Sequence, residues 1–298
     1  MNTRRFRSLA ADLILLAIAA FWGLGFVLTK YILAYVPPLL FLGVRFSLSA
    51  LIMLVARPKY VFHLRSRPLP VLTTGAFLCL AYILQTVGMN YTSASRAAFI
   101  TGLYMVFVPV ISTVVSKRSP SALAWAGALL ATVGLGVMTG LARDGQYQFL
   151  EGEALVLGCA LFFGLQILAV DKYSPRYDLG SFTFGQISVV GIGCLIPALL
   201  FERLPAAVPA GVALAVVFLA LPNTIGATYA QAWAQRLTVP WRAAILLAME
   251  PVFTLIFAGL ALGESFSPGE ALGAVLMLAG GLLAELEHMP QNRRQREI

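Results

Sequence analysis

The chain has 298 residues, 59% of them hydrophobic and only 11% charged, with a mean hydropathy of +0.85 and a formal net charge of +8. Soluble domains carry about 25% charged residues, so this composition excludes an ordinary water-soluble globule and places the chain in a bilayer. The basic residues are spread over short loops and tails rather than gathered on one face, which excludes a nucleic-acid partner as the reading of that charge.

Apolar runs of membrane-spanning length, roughly 20 residues each, predict helices near 10–31, 38–56, 69–90, 95–116, 121–140, 152–171, 179–201, 209–231, 238–261 and 267–286. The first follows Arg4-Arg5-Phe6-Arg7 and stays apolar through Leu28. That is longer than the 7–15 residues of a cleavable signal core, so it reads as a retained first span. It carries Asp12 near its start, Trp22 at mid-depth and Lys30 at its end. Asp12 reads either as a helix-start carboxylate or as a proton-coupling acid. The second span holds Arg45 at its centre, where a guanidinium needs an ion pair, carbonyl contacts or a substrate carboxylate. The third and fourth hold Tyr82, Gln85, Thr101, Tyr104 and Pro109, and the fifth is rich in Gly and Ala and nearly free of polar side chains. Phe163 and Gln166 lie in the sixth. Pro222, Asn223, Tyr229, Gln231 and Trp233 lie in or at the end of the eighth, and Glu250-Pro251 in the ninth. The tenth repeats the Gly/Ala character of the fifth, and both are assigned to peripheral helix packing through small residues.

The breaks between spans carry turn chemistry, among them Pro37-Pro38, Arg67-Pro68, Ser119-Pro120, Asp144-Gly145 and Ser267-Pro268. Of the 21 Lys and Arg, sixteen fall on the side of the termini, four on the other, and Arg45 inside a span. By the positive-inside rule both termini are cytoplasmic. Cys79, Cys159 and Cys194 are scattered in apolar runs, which predicts packing rather than disulfides or a metal cluster.

The two halves are related. A shift of 146 positions lays Gln85 on Gln231, Thr92 on Thr238, Arg96-Ala97-Ala98 on Arg242-Ala243-Ala244, Gly127 on Gly273 and Gly134 on Gly280. A shift of 141 lays Phe21-Trp22-Gly23-Leu24 on Phe162-Phe163-Gly164-Leu165. With five spans per copy, the second copy enters from the opposite face. The expected fold is therefore an all-α integral membrane protein of two inverted five-helix repeats, residues 1–141 and 152–298, with the polar segment Ala142 to Glu151 between them. Inverted repeats around a midplane site are a secondary-transporter architecture.

Leu247-Ala248-Met249-Glu250-Pro251-Val252-Phe253, then Leu262-Gly263-Glu264 and Gly273 to Gly281, resemble the EamA family of the drug/metabolite transporter superfamily. Ala20-Phe21-Trp22-Gly23 and Tyr91-Thr92-Ser93-Ala94-Ser95-Arg96-Ala97-Ala98-Phe99 resemble it in the first half. The resemblance implies ten helices, a bacterial inner-membrane location, and a central cavity lined by spans 1, 3, 4, 6, 8 and 9. It also implies export of amino acids or other metabolites. The first repeat departs from the second in having Tyr104-Met105 where the second has Glu250-Pro251.

On those spans the candidate substrate-binding residues are Trp22, Tyr82, Gln85, Thr101, Tyr104, Phe163, Gln166, Asn223, Tyr229, Gln231, Trp233 and Glu250, and the candidate hinges are Pro109, Pro222 and Pro251. Aromatic walls with a few amides and hydroxyls suit an amphipathic small molecule. Glu250 reads as a substrate-amine contact, a proton site, or a carboxylate serving the backbone broken by Pro251. The expected partners are a small-molecule substrate and the bilayer, with the chain acting as a monomer and no cofactor or metal. An enzyme is the weaker reading. His63 and His288 lie outside the spans, and neither H-E-x-x-H nor G-x-S-x-G occurs. A channel finds no support either, since no span repeats a charge ring or a carbonyl filter, while uniport through an alternating-access fold stays open.

Overall fold

A computed structural model describes residues 3–61, 68–116, 121–138, 151–262 and 268–286. The connecting segment 142–150, the cations at 117–118, Gly263-Glu264 and the C-terminal arginines of the sequence reading lie outside the described residues.

The helices follow the predicted order. They are α1 (Thr3–Leu33), α2 (Pro38–Ala56), α3 (Pro68–Gly88), α4 in two pieces (Ala94–Gly102 and Tyr104–Ser116) and α5 (Ala122–Met138). The second repeat gives α6 (Glu151–Tyr173), α7 (Leu179–Phe201), α8 (Ala210–Phe218 and Ala227–Gln235, joined by a π-helical turn at Leu219–Gly226), α9 (Pro240–Leu247 and Glu250–Leu262) and α10 (Pro268–Leu286). Eight of the described segments are long and apolar enough to cross a membrane, and α5 is a shorter apolar helix. Helical structure is what lipid demands of these runs, because every backbone N–H and C=O must be satisfied within the segment.

The ends are built from the turn residues. Pro38, Pro68, Pro240 and Pro268 each open a helix, where the missing N–H costs nothing and φ is already set. Ser93 caps α4 by accepting from the Arg96 N–H (3.2 Å), and Asp178 caps α7 by accepting from the Ser181 N–H (2.9 Å). The start of α2 is capped from the other repeat: the Glu202 carboxylate accepts from the N–H groups of Leu39 (3.0 Å) and Leu40 (2.7 Å).

The repeats interlock rather than lying side by side. The pairings α2 with α7, α3 with α6, and α5 with α10 each join one helix from each half. At the α5–α10 crossing, a Cβ on Gly134 would lie 2.7 Å from the Gly273 carbonyl oxygen, and one on Gly280 would lie 2.5 Å from that of Gly127. Gly134 and Gly280 are repeat mates, as are Gly127 and Gly273, so the seam is a two-fold contact that only small residues permit. The sequence assigned both helices to packing through small residues; that they pack on each other is a finding of the structure. The three cysteines are buried free thiols, with the sulfurs of Cys79 and Cys194 touching across the repeats at 3.9 Å.

Candidate functional site

Three interruptions in the helices create the site. Pro251 has no N–H to give and its ring clashes with the carbonyl four residues back. The first piece of α9 accordingly ends at Leu247, and the second begins at Glu250. The first repeat breaks at the matching place, Gly102–Tyr104, without a proline there. Tyr104 and Glu250, repeat mates under the shift of 146, each open the second half of a broken helix. In α8, Pro222 sits inside the π-helical turn, and the Thr224 hydroxyl donates to the Leu219 carbonyl (2.9 Å). Such turns gather at functional sites because they free backbone groups and re-aim side chains.

These breaks face one cavity at the junction of the repeats. Its wall takes Trp22, Gly25, Phe26 and Thr29 from α1, Arg45 from α2, and Tyr82 and Gln85 from α3 with Met89 just beyond. Tyr104, Phe163, Asn223 and Glu250 complete it. Tyr82 packs edge-on to Phe163 (5.3 Å between centroids) and tilts over Phe46 (4.9 Å), and Tyr104 meets Phe163 at 6.4 Å. The cavity is narrow. Its volume is about 30 Å³, room for about two waters.

Among the described residues, the wall contains one basic side chain, Arg45, and one acidic side chain, Glu250. Arg45 is 3% exposed. Its Nε donates to Thr224 Oγ1 (2.7 Å) and its Nη2 to Asn223 Oδ1 (2.6 Å). The guanidinium carbon lies 5.2 Å from the Phe46 ring centroid and 5.5 Å from that of Tyr82, within cation–π range. Its side-chain partners are thus a neutral amide, a hydroxyl and rings; among the described residues no carboxylate pairs with it. This corrects the ion pair offered by the sequence. Glu250 is 5% exposed, and its carboxylate makes no hydrogen bond or ion pair among the described residues. It opens a helical segment, at the positive end of that segment's dipole. The Tyr104 hydroxyl is buried without a hydrogen-bond partner among the described residues.

Asn223 ties the cavity together. Its backbone carbonyl accepts from Trp22 Nε1 (3.2 Å), its Oδ1 from Arg45, and its amide Nδ2 donates to the Phe21 carbonyl. The Asn223 carbonyl, within the irregular turn, is therefore occupied by an indole.

The other candidate residues lie elsewhere. Thr101 stands behind Gln85, accepting from its Nε2 at 3.3 Å. Gln231 Nε2 donates to Gln166 Oε1 (3.2 Å) and Gln166 Nε2 to Gln186 Oε1 (3.1 Å). This amide chain joins α6, α7 and α8 within the protein and outside the cavity wall. Gln85 and Gln231, repeat mates, thus have different surroundings. Tyr229 is 42% exposed on the outer surface, and Trp233 packs half-buried against the core. Pro109 lies inside a continuous helical piece rather than at the α4 break.

Sequence reasoning missed Gly25, Phe26 and Thr29 as wall residues. With Trp22 they fall at i, i+3, i+4 and i+7, one helical face, and that spacing could have found them. It also missed Gln186. The shift of 141 lays Arg45 on Gln186, so the charged cluster in one half answers to a neutral amide chain in the other. Asp12 is neither a helix-start residue nor isolated. α1 begins at Thr3, and Asp12 Oδ2 accepts from Arg242 Nη2 at 2.7 Å.

A narrow polar-aromatic cavity enclosed by two interlocked five-helix repeats defines a membrane solute transporter. Residues 9–140 and 150–285 each match the EamA-like transporter family, and the chain belongs to that family. It is 32% identical over 280 residues to an uncharacterized transporter of Archaeoglobus fulgidus, covering 94% of this chain and 87% of that protein. A probable amino-acid metabolite efflux pump of Salmonella typhimurium is 29% identical over 280 residues, covering 89% and 91%. The threonine/homoserine exporter RhtA of Escherichia coli is 27% identical over 259 residues, covering 80% and 79%. A solved crystal structure superposes with a TM-score of 0.78 at 20% identity, over 93% of this chain and 97% of the other, which supports the fold.

Proposed function

We propose that the chain exports small amphipathic metabolites, foremost amino acids with neutral or aromatic side chains, across a bacterial inner membrane. The reading takes residues 1–141 and 152–298 as two half-units that rock about the cavity and expose it to one face at a time. It places both termini in the cytoplasm, as the Lys and Arg distribution favours, and has the monomer as the working unit. The observation that carries it is the cavity wall. Aromatic faces surround one buried guanidinium and one buried carboxylate, neither paired with an opposite protein charge among the described residues. Ionisable groups kept this way in a bilayer are costly, and a solute carrying an amine and a carboxylate offers a partner to each. Relatives that are named amino-acid efflux pumps and exporters support the same class. The narrowness of the cavity favours a closed state, which a substrate enters only after the walls part.

The test is flux in proteoliposomes of the purified chain, loaded with a panel of amino acids, nucleosides and organic cations, with and without an imposed pH gradient. Selective movement of amino acids supports the reading, and movement of cations alone excludes it. A second reading, proton-coupled export of cationic compounds, is favoured by one observation: Glu250 has no protein partner in the wall and could alternate between a proton and a cation. Dependence on the pH gradient decides between coupled and facilitated transport.

A further inference from the structure

Two buried acids occupy equivalent places in the repeats. The shift of 141 that lays Trp22 on Phe163 also lays Asp12 on Glu153, and the shift of 146 that lays Thr92 on Thr238 lays Arg96 on Arg242. In the structure each acid pairs with the arginine of the opposite repeat. Asp12 Oδ2 lies 2.7 Å from Arg242 Nη2, and Glu153 Oε1 lies 3.6 Å from Arg96 Nη1. One pairing rule therefore occurs twice, related by the repeat.

The two pairs lie at opposite mouths. Helices alternate in direction along the chain, so α1 and α9 begin at the face of the N-terminus, whereas α4 and α6 begin at the other. Asp12 lies in the N-terminal half of α1 and Arg242 near the start of α9; Arg96 and Glu153 are near the starts of α4 and α6. The cavity, at the depth of Trp22 and Glu250, lies between them.

The pairs are also unequal, which a simple two-fold staple would not explain. Asp12 and Arg242 are sealed, with side chains 5% and 6% exposed and a hydrogen bond of charge-assisted length. Glu153 is buried, but the Arg96 side chain is 47% exposed and 3.6 Å away, beyond hydrogen-bond length. Arg96 also borders a surface hollow of about 390 Å³ shared with Lys30, Asn90 and Thr92.

We infer that the two pairs are alternating latches that position the half-units. Asp12–Arg242 holds the face of the N-terminus shut in this state, and Arg96–Glu153 is the matching latch of the opposite face, here slackened. Access reverses when the first pair loosens and the second closes to the geometry now seen in the first. This rests on the alternating-access reading above, and assigns the four residues to conformational choice rather than to substrate contact.

The test uses full-length protein in proteoliposomes with Cys79, Cys159 and Cys194 replaced by Ala. A single reporter cysteine stands at Thr92 or at its repeat mate Thr238, and is labelled with a membrane-impermeant maleimide from each side. Asp12→Asn should raise labelling at position 238 by about tenfold and lower it at position 92, a coupling of ordinary allosteric size. Glu153→Gln should do the reverse, and the exchanged pair D12R/R242D should restore the parent pattern. A change confined to the reporter beside the altered pair would mark static staples and overturn the inference. Should Asp12→Asn not fold, Arg242→Lys, which keeps the charge but not the fork, must give the same reciprocal pattern at smaller size; its absence is equally decisive. Solute flux of the unaltered chain is read in the same liposomes. Flux without reciprocal labelling therefore removes the latches and leaves the transport reading standing.

Discussion

Trp22 donates its indole N–H to the backbone carbonyl of Asn223 at 3.2 Å, joining α1 of the first repeat to the π-helical turn of the second. That carbonyl lies at a place where the ordinary helical ladder is interrupted, and in lipid an unsatisfied carbonyl is expensive. The tryptophan thus serves both as an aromatic wall and as a hydrogen-bond cap on irregular backbone.

Trp22→Phe separates these two roles. It keeps a ring and deletes the donor, so stability should fall by about 1–3 kcal/mol, the cost of a buried acceptor losing its partner. Aromatic-substrate affinity should change less than in Trp22→Ala. Denaturant unfolding in detergent and substrate binding measured on the same preparations check this. Equal binding losses in both variants would mean that the ring adds nothing beyond holding the turn.

Glu250→Gln replaces the carboxylate with an uncharged group of the same shape. Flux should drop by about tenfold or more, comparable to losing one charge-assisted hydrogen bond, while the protein remains folded. Flux across a pH series is the measurement, and a parent-like profile would remove Glu250 from the mechanism.

Arg45→Lys keeps the charge but abandons the planar fork held by Thr224 and Asn223. Transport of an amino acid should weaken more than transport of the matching decarboxylated amine. Competition between tryptophan and tryptamine in liposomes reads this directly; parallel losses would assign Arg45 to holding the α8 turn alone.

Gly134→Leu forces a side chain into the Gly273 carbonyl. Overpacking of this kind costs about 1–3 kcal/mol or more, and the variant should unfold earlier in detergent. If it folds, its substrate preference should match the parent, since α5 contributes nothing to the cavity wall.

Much of this was readable beforehand because lipid leaves the chain few choices. Apolar run length marked the spans, and prolines marked helix starts. The glycines of the fifth and tenth spans marked both for peripheral packing, though not that they pack on each other. Glu250 stood out because a carboxylate beside a proline at mid-depth has few inexpensive explanations, and it does line the cavity. What the sequence concealed was partnership across the fold. Arg45 lies on α2, outside the helices the family resemblance assigned to the wall, yet α2 packs against α7 and its arginine reaches the α8 turn. Gln231 looked symmetric with Gln85, but Gln166 and Gln186 draw it into an amide chain that has no counterpart around Gln85. Asp12 and Arg242 are 230 residues apart, and only the interlocking of the halves brings them together.

The glycine seam between α5 and α10 has an evolutionary corollary. One close backbone approach between the halves lies on helices that contribute none of the cavity-wall residues, so this part of their cohesion is encoded apart from the chemistry of the wall. A substitution that retunes the wall at Tyr104 or Phe163 leaves that seam intact. Lineages can exchange one cargo for another without first relearning how to fold.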